Sequence, residues 1–177
     1  DLHFVQNHNR HLMKELLAGQ LDLAFLTALD LISLDSDTLR WKAVENYHMC
    51  IYLSQYHPLY HTDAAALSIS QFKTDYFVAI QESTLLNCNT ETEKICLNFG
   101  FRPLIKTYAE NISSALLQVQ FGSCVLMAPD LLTLSPSCQI RRFFIEEMLG
   151  TDYQAIVLWN TQNQAALPYV QALLQML

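Results

Sequence analysis

The 177 residues fall within the usual length of one compact domain, and two small lobes that share crossing segments fit equally well. Hydrophobic residues make up 51% and charged residues 15% of the chain, a composition that excludes a disordered tail and supplies a buried core. The net charge of −7 disfavours contact with DNA phosphates, because such contacts need clustered Lys and Arg. We predict a globular chain that does not itself bind DNA.

Apolar patterns in chain order predict alternating helices and strands. They are a strand at 2–5, a helix at 9–18, strands at 21–26, 48–54 and 76–80, a helix at 93–99, a strand at 103–108, a helix at 112–121, strands at 123–129, 140–145 and 155–159, and a closing helix at 165–177. Gly19, Gly100 and Gly122 each follow a predicted helix and precede a strand, where a left-handed glycine ends a helix. This rhythm predicts an α/β fold with a mostly parallel sheet covered on both faces.

The longest apolar runs have the length of strands and fall short of the roughly 20 residues that a membrane-spanning helix needs. We therefore predict no membrane contact. The chain has five cysteines, an odd number, and no CxxC pair, and Cys50 and Cys124 lie in apolar, strand-like runs. This pattern favours reduced, buried thiols and a cytoplasmic location.

Polar residues that follow predicted strands are the candidates for a binding site. In open α/β sheets ligands collect at the carboxyl ends of strands, which selects Thr27 after the 21–26 strand and Gln81, Glu82 and Ser83 after the 76–80 strand. Asn111 lies where the helix that begins at Ile112 needs a cap, and backbone amides at a helix start attract anions. Plain capping without a ligand explains Asn111 equally well.

Motifs for cofactors and metals are missing from the sequence. It has no GxGxxG and no P-loop, so a glycine-built phosphate cradle is not expected. His8, His11 and Glu15 share one face of the first helix, but without HExxH or a fourth ligand they fit a solvated face better. We predict no catalytic residue, no cofactor and no metal.

Several segments together resemble the effector-binding domain of LysR-type transcriptional regulators over nearly the whole chain. LLAGQLDLAFL is similar to the leucine-rich helix and LDLAI-like strand of that family, and His57-Pro58-Leu59 is similar to the HPL at its first crossing. Residues 99–103 match its GF-x-P turn, and residues 110–129 match its helix, glycine, strand and proline series. Leu158-Trp159 precedes the closing helix as in the family.

The resemblance implies a two-lobed, periplasmic-binding-protein-like (type 2) fold with a cleft between the lobes. One lobe would comprise residues 1–56 and 129–177 and the other 57–128, with hinge crossings near 54–60 and 127–131. The resemblance also implies effector contacts in the second lobe from Gln81, Ser83, Asn111 and Ile112. The family's winged helix-turn-helix head and its first strand-helix unit are expected to be missing from this sequence.

The function that the resemblance implies is the sensing of a small molecule, with the Asn111 helix start favouring an organic acid or another anion. The implied partners are the effector, a second copy of the chain and, through the absent head, DNA. Two alternatives remain open. A solute-binding protein of a transporter shares the fold but usually has fewer free cysteines, and an enzyme on this scaffold would need a partner for Glu82 as a base.

Overall fold

The structure, a computed structural model, describes residues 3–5, 7, 9–28, 37–81, 88–122, 124–130, 134, 138–145, 148 and 153–176. Its helices are α1 (Asn9–Leu17), α2 (Cys88–Asn98), α3 (Ile112–Phe121) and α4 (Leu167–Met176). Its strands are β1 (Ala24–Thr27), β2 (Leu39–Tyr47), β3 (Met49–Ser54), β4 (Tyr76–Ile80), β5 (Leu104–Ala109), β6 (Cys124–Pro129), β7 (Ile140–Phe143) and β8 (Tyr153–Asn160). The predicted α/β fold class is confirmed.

The described residues divide into two compact units, one within Asp1–Asn46 and Tyr153–Leu177 and one within Tyr47–Glu82 and Asn87–Asp152. The predicted lobes, 1–56 with 129–177 and 57–128, and their hinge crossings near 54–60 and 127–131 stay a prediction. In the second unit β3 forms antiparallel ladders with β6 and with β7, so these three strands belong to one sheet.

The first unit contains a three-stranded sheet in the order β1-β8-β2 with α1 packed on β1 and β8. Leu12 and Leu16, four residues apart on α1, lie on one helix face and are buried against the sheet. Ala24, Leu26, Leu39, Ile156 and Leu158 complete this small core with Met13. The helix ends at Gly19, whose φ of 71° is in the left-handed region, as the sequence predicts.

The second unit contains a five-stranded sheet in the order β5-β4-β6-β3-β7. The helix α3 packs against all five strands, and α2 packs against β4 and β6. Every residue of β3 and β6 is buried, which explains their continuous apolar sequences. Gly100, with a φ of 80°, ends α2 as predicted.

Two expectations about the sheets are wrong. The sheets are mixed, because β4 runs parallel to β5 and β6 while the β1–β8, β3–β6 and β3–β7 pairs are antiparallel. Helix-strand alternation sets the direction only of strands joined by a crossover helix, such as β4 and β5, and not of strands paired from distant segments. The predicted strand at 2–5 is absent at residues 3–5, which have no regular structure.

The helix α3 does not end on a left-handed glycine, contrary to the prediction for Gly122. The φ of Gly122 is −107°, a conformation open to every residue. The glycine is required for space instead, since a Cβ there would lie 2.3 Å from the main-chain oxygen of Gln118. The last turn of α3 therefore needs a residue without a side chain at this position.

Candidate functional site

The carboxyl ends of β4 and β5 meet at one edge of the second unit. The two strands are parallel, Ile80 lies opposite Ala109, and the Gln81 N–H donates to the Ala109 carbonyl at 2.9 Å. Asn111 follows Ala109 by two residues, so the chain brings Gln81 and Asn111 to the same edge, and both are exposed. This is the position where open α/β sheets bind ligands.

Asn111 caps α3 as the sequence predicts. Its backbone is extended, and its Oδ1 accepts hydrogen bonds from the Ser114 N–H at 2.9 Å and from the Ser114 hydroxyl at 3.1 Å. The Asn111 carbonyl accepts the first helical bond, from the Ala115 N–H at 3.0 Å. The N–H groups of Ile112 and Ser113 belong to the first turn of α3, where the helix offers no carbonyl to accept them. An anion at this end of the helix would therefore meet polarised amides.

The side chain of Asn89 holds the end of β4, a contact that the sequence did not reveal. Its Oδ1 accepts from the Ile80 N–H at 3.0 Å, and its Nδ2 donates to the Ile80 carbonyl at 2.5 Å. In the described residues β4 pairs with β6 only at Tyr76 and Phe77, so the Asn89 amide supplies the missing backbone partner at the end of β4. This side chain fixes the strand end from which Gln81 extends.

The other predicted site residues have different outcomes. Thr27 is the last residue of β1, opposite Ala155 of β8, and it is half-buried in the first unit. Glu82 and Ser83 lie outside the described residues. Ile112 is half-buried at the first position of α3. The structure thus brings Gln81, Asn111 and Ile112 to one sheet edge.

A cavity of about 300 Å³ is lined by residues of α2, β4 and β5 and by the segment between α2 and β5. Asn89, Arg102 and Tyr108 line it, and the Arg102 guanidinium contacts the Glu93 carboxylate at 3.3 Å. The arginine is therefore paired already. In the described part of the chain no cluster of three His, Cys, Asp or Glu side chains is placed to hold a metal ion, and His11 contacts Glu15 at 3.0 Å instead.

The five cysteines are free thiols, and four of them are buried. Burial raises the pKa of the Cys50 thiol and that of the Cys96 thiol to about 12. Both groups are therefore protonated and poorly nucleophilic at neutral pH. Among the helices formed by described residues, none has both the length and the apolar character needed to cross a membrane.

Solved structures share this fold. The C-terminal domain of a probable LysR family transcriptional regulator from Rhodococcus sp. RHA1 superposes with a TM-score of 0.70 at 17% identity, covering 94% of this chain and 82% of that chain. The effector binding domain of QuiR in complex with shikimate gives 0.72 at 14% identity, covering 89% and 71%. The CcmR regulatory domain from Synechocystis PCC6803 in complex with 2-PG gives 0.70 at 10% identity, covering 94% and 79%.

These identities are low, so the likenesses to solved structures show the fold alone. No protein with a curated description is recognisably similar in sequence. The family model described as the LysR substrate binding domain, however, matches residues 1–177. The family and fold neighbours are effector-binding domains of transcription regulators rather than enzymes. The chain therefore belongs to the family of LysR substrate-binding domains.

Proposed function

We propose that this chain is the sensor of a LysR-type regulator, in which a small organic anion binds at the edge formed by Gln81, Asn111 and Ile112. Glu82, Ser83 and Thr27 are further proposed contacts. The anion stabilises one arrangement of the two units, and a homodimer transmits that change to separate winged helix-turn-helix domains that bind DNA. The regulator acts in the cytoplasm.

The observation that carries the proposal is the convergence of a strand end and a capped helix start at one sheet edge. Gln81 is held by the Ala109 carbonyl and, through Ile80, by Asn89, so its position is set by backbone hydrogen bonds. The amides at the start of α3 supply partial positive charge without a cationic side chain. Two fold neighbours were solved with small molecules, shikimate and 2-PG, which supports a small molecule as the effector class.

A thermal-shift screen of organic acids, neutral amino acids and cationic amino acids tests the ligand class. We expect an organic acid at 100 times its Kd to stabilise the chain by about 2.7 kcal/mol, seen as a rise in Tm. The proposal for an anion fails if only neutral or cationic compounds raise the Tm.

The exposed Glu110, next to Asn111, opposes an anion there, so Glu110→Gln is expected to strengthen binding.

The Asn111→Asp variant separates capping from ligand binding. Aspartate caps helices as well as asparagine, so the Tm without ligand should change little, whereas the added negative charge should abolish the ligand-induced shift. Asn98→Asp, at the exposed end of α2, adds the same charge elsewhere and should leave the shift intact. Equal ligand shifts in wild type and Asn111→Asp would place the effector away from this helix start.

Two further parts of the proposal, the homodimer and DNA binding by a separate domain, need their own tests. Sedimentation of the chain at micromolar concentration is expected to show a dimer, and a strictly monomeric species would contradict that part. The net charge of −7 leads us to expect no DNA binding by these residues alone, which an electrophoretic mobility assay checks. The free, buried thiols favour a cytoplasmic regulator over a secreted transporter component.

A further inference from the structure

Asp130 lies at the same sheet edge as Gln81 and Asn111. The strand β6 runs parallel to β4, as β5 does, so the carboxyl ends of all three strands meet at this edge. Asp130 directly follows Pro129, the last residue of β6. The order β5-β4-β6 separates β6 from β5 by two strand spacings, about 10 Å across the sheet. A single small molecule can therefore contact both Asp130 and the start of α3.

Hydrogen bonds from neighbouring segments hold the end of β6 in place. The Asp130 N–H donates to the His48 carbonyl at 2.9 Å, and the Asp130 carbonyl accepts from the Arg142 guanidinium at 2.5 Å. The Tyr52 hydroxyl donates to the Pro129 carbonyl at 2.7 Å, which fixes the preceding peptide. A residue that is ordered before binding loses little freedom when a ligand arrives.

The half-buried carboxylate of Asp130 uses only one of its two oxygens. Oδ1 accepts a hydrogen bond from the His48 N–H at 3.0 Å. Within the part of the chain that the structure describes, Oδ2 accepts no hydrogen bond. A carboxylate is an acceptor only, so a ligand group that satisfies Oδ2 must be a donor. The sheet edge thus presents an acceptor at the end of β6 and donors, the first amides of α3, beyond the end of β5.

The charges at the end of β6 are compatible with an anionic ligand. The Arg142 guanidinium contacts the main chain of Asp130, so its positive charge offsets the repulsion between the Asp130 carboxylate and an anion. The carboxylate then acts through selection. An anion without a donor would displace water from Oδ2 and leave that oxygen unpaired, whereas a hydroxyl group would restore the hydrogen bond.

We propose that Asp130 is a specificity-determining residue that accepts a hydrogen bond from a hydroxyl group of the effector. The inference rests on the proposed binding of an organic anion at Gln81 and Asn111, and it narrows the effector class to hydroxylated organic acids. The acid group binds the start of α3, and the hydroxyl donates to Oδ2 of Asp130. Hydrogen bonds of about 3 Å at both ends of a span of about 10 Å leave about 4 Å between the two groups of the ligand.

Calorimetric titration of the whole chain with butyrate and 4-hydroxybutyrate tests the proposal, because the two acids differ only in the hydroxyl group. We expect 4-hydroxybutyrate to bind about tenfold more tightly than butyrate, the gain from one hydrogen bond to a charged group. Acetate and glycolate form a shorter pair. The hydroxyl of glycolate lies next to its carboxyl group and is too close to reach Asp130, so glycolate should gain nothing over acetate.

Substitutions of Asp130 test the assignment of the hydroxyl contact. Asp130→Asn keeps the Oδ1 that accepts from His48 and replaces Oδ2 with an amide, so it should reduce the preference for 4-hydroxybutyrate to about twofold. It should bind butyrate at least as well as wild type, because the negative charge is gone. Asp130→Ala should remove the preference completely. Asp63→Asn is the matched control, since the exposed Asp63 also accepts a backbone N–H but lies between β3 and β4, and it should keep the full preference.

Equal affinities of butyrate and 4-hydroxybutyrate for the wild-type chain would overturn the inference, and so would a preference that survives in Asp130→Ala. Titration of Asn111→Asp distinguishes this failure from that of the effector site. If both acids lose affinity in Asn111→Asp while the preference survives in Asp130→Ala, the effector site stands and the role of Asp130 fails. If neither acid loses affinity in Asn111→Asp, both proposals fail, as they do if neither acid binds at millimolar concentration.

Discussion

Asn89 connects the start of α2 to the end of β4 through two hydrogen bonds with Ile80. Asn89→Ala leaves the Ile80 N–H and carbonyl without these partners, and we expect the free energy of unfolding to fall by about 1 to 3 kcal/mol. Urea denaturation measures the loss. Asn98→Ala, on the same helix but exposed, is the matched control and should cost little. Equal effects of the two substitutions would show that Asn89 has no special role.

Cys138 differs from the other four cysteines because its side chain is only half-buried. We expect it to be the first thiol alkylated by iodoacetamide at pH 8, with Cys50 and Cys96 unreactive in the folded chain because burial raises their pKa values to about 12. Mass mapping of the alkylated peptides identifies the order. Cys138→Ser should remove the fast phase, and fast labelling of Cys50 would contradict the described burial.

At the scale of elements, α1 stabilises the first unit through one face. Leu16 is fully buried in its core, whereas the adjacent Leu17 is 44% exposed. Leu16→Ala is expected to cost about 2 to 5 kcal/mol, since it removes buried methyl groups and leaves a cavity. Leu17→Ala in the same helix should cost far less. Chemical denaturation compares the two variants, and similar losses would mean that α1 does not pack by this face.

The elements also show what the sequence can and cannot predict. The bounds of β4 and α3 match the sequence prediction, because an apolar run between polar neighbours and an Asn cap mark them locally. The sequence does not predict the strand β2, since only its two end residues are buried and no alternating apolar pattern marks it. In the pairing of β4 with β5, Ile105 lies opposite Phe77 and Thr107 lies opposite Val78, so Lys106 is an extra residue. This bulge and the Asn89–Ile80 bonds depend on the pairing of distant segments, which a single sequence does not display.

At the scale of the whole molecule, the two units have separate sheets, of three and of five strands. Both tryptophans, Trp41 in β2 and Trp159 in β8, belong to the first unit, so tryptophan fluorescence reports the unfolding of that unit alone. Far-UV circular dichroism reports both units. A comparison of the two signals therefore shows whether the units unfold together.

We expect Leu16→Ala to separate the two signals. A loss of about 2 to 5 kcal/mol is a large part of the 5 to 15 kcal/mol that stabilises a typical domain, so the smaller unit should unfold first. Its fluorescence transition should move to lower urea while a later circular dichroism transition remains for the five-stranded unit. Phe72→Leu, in the core of the second unit, is the reciprocal variant and should move the later transition. Coincident transitions in both variants would instead show that the chain unfolds as one cooperative body.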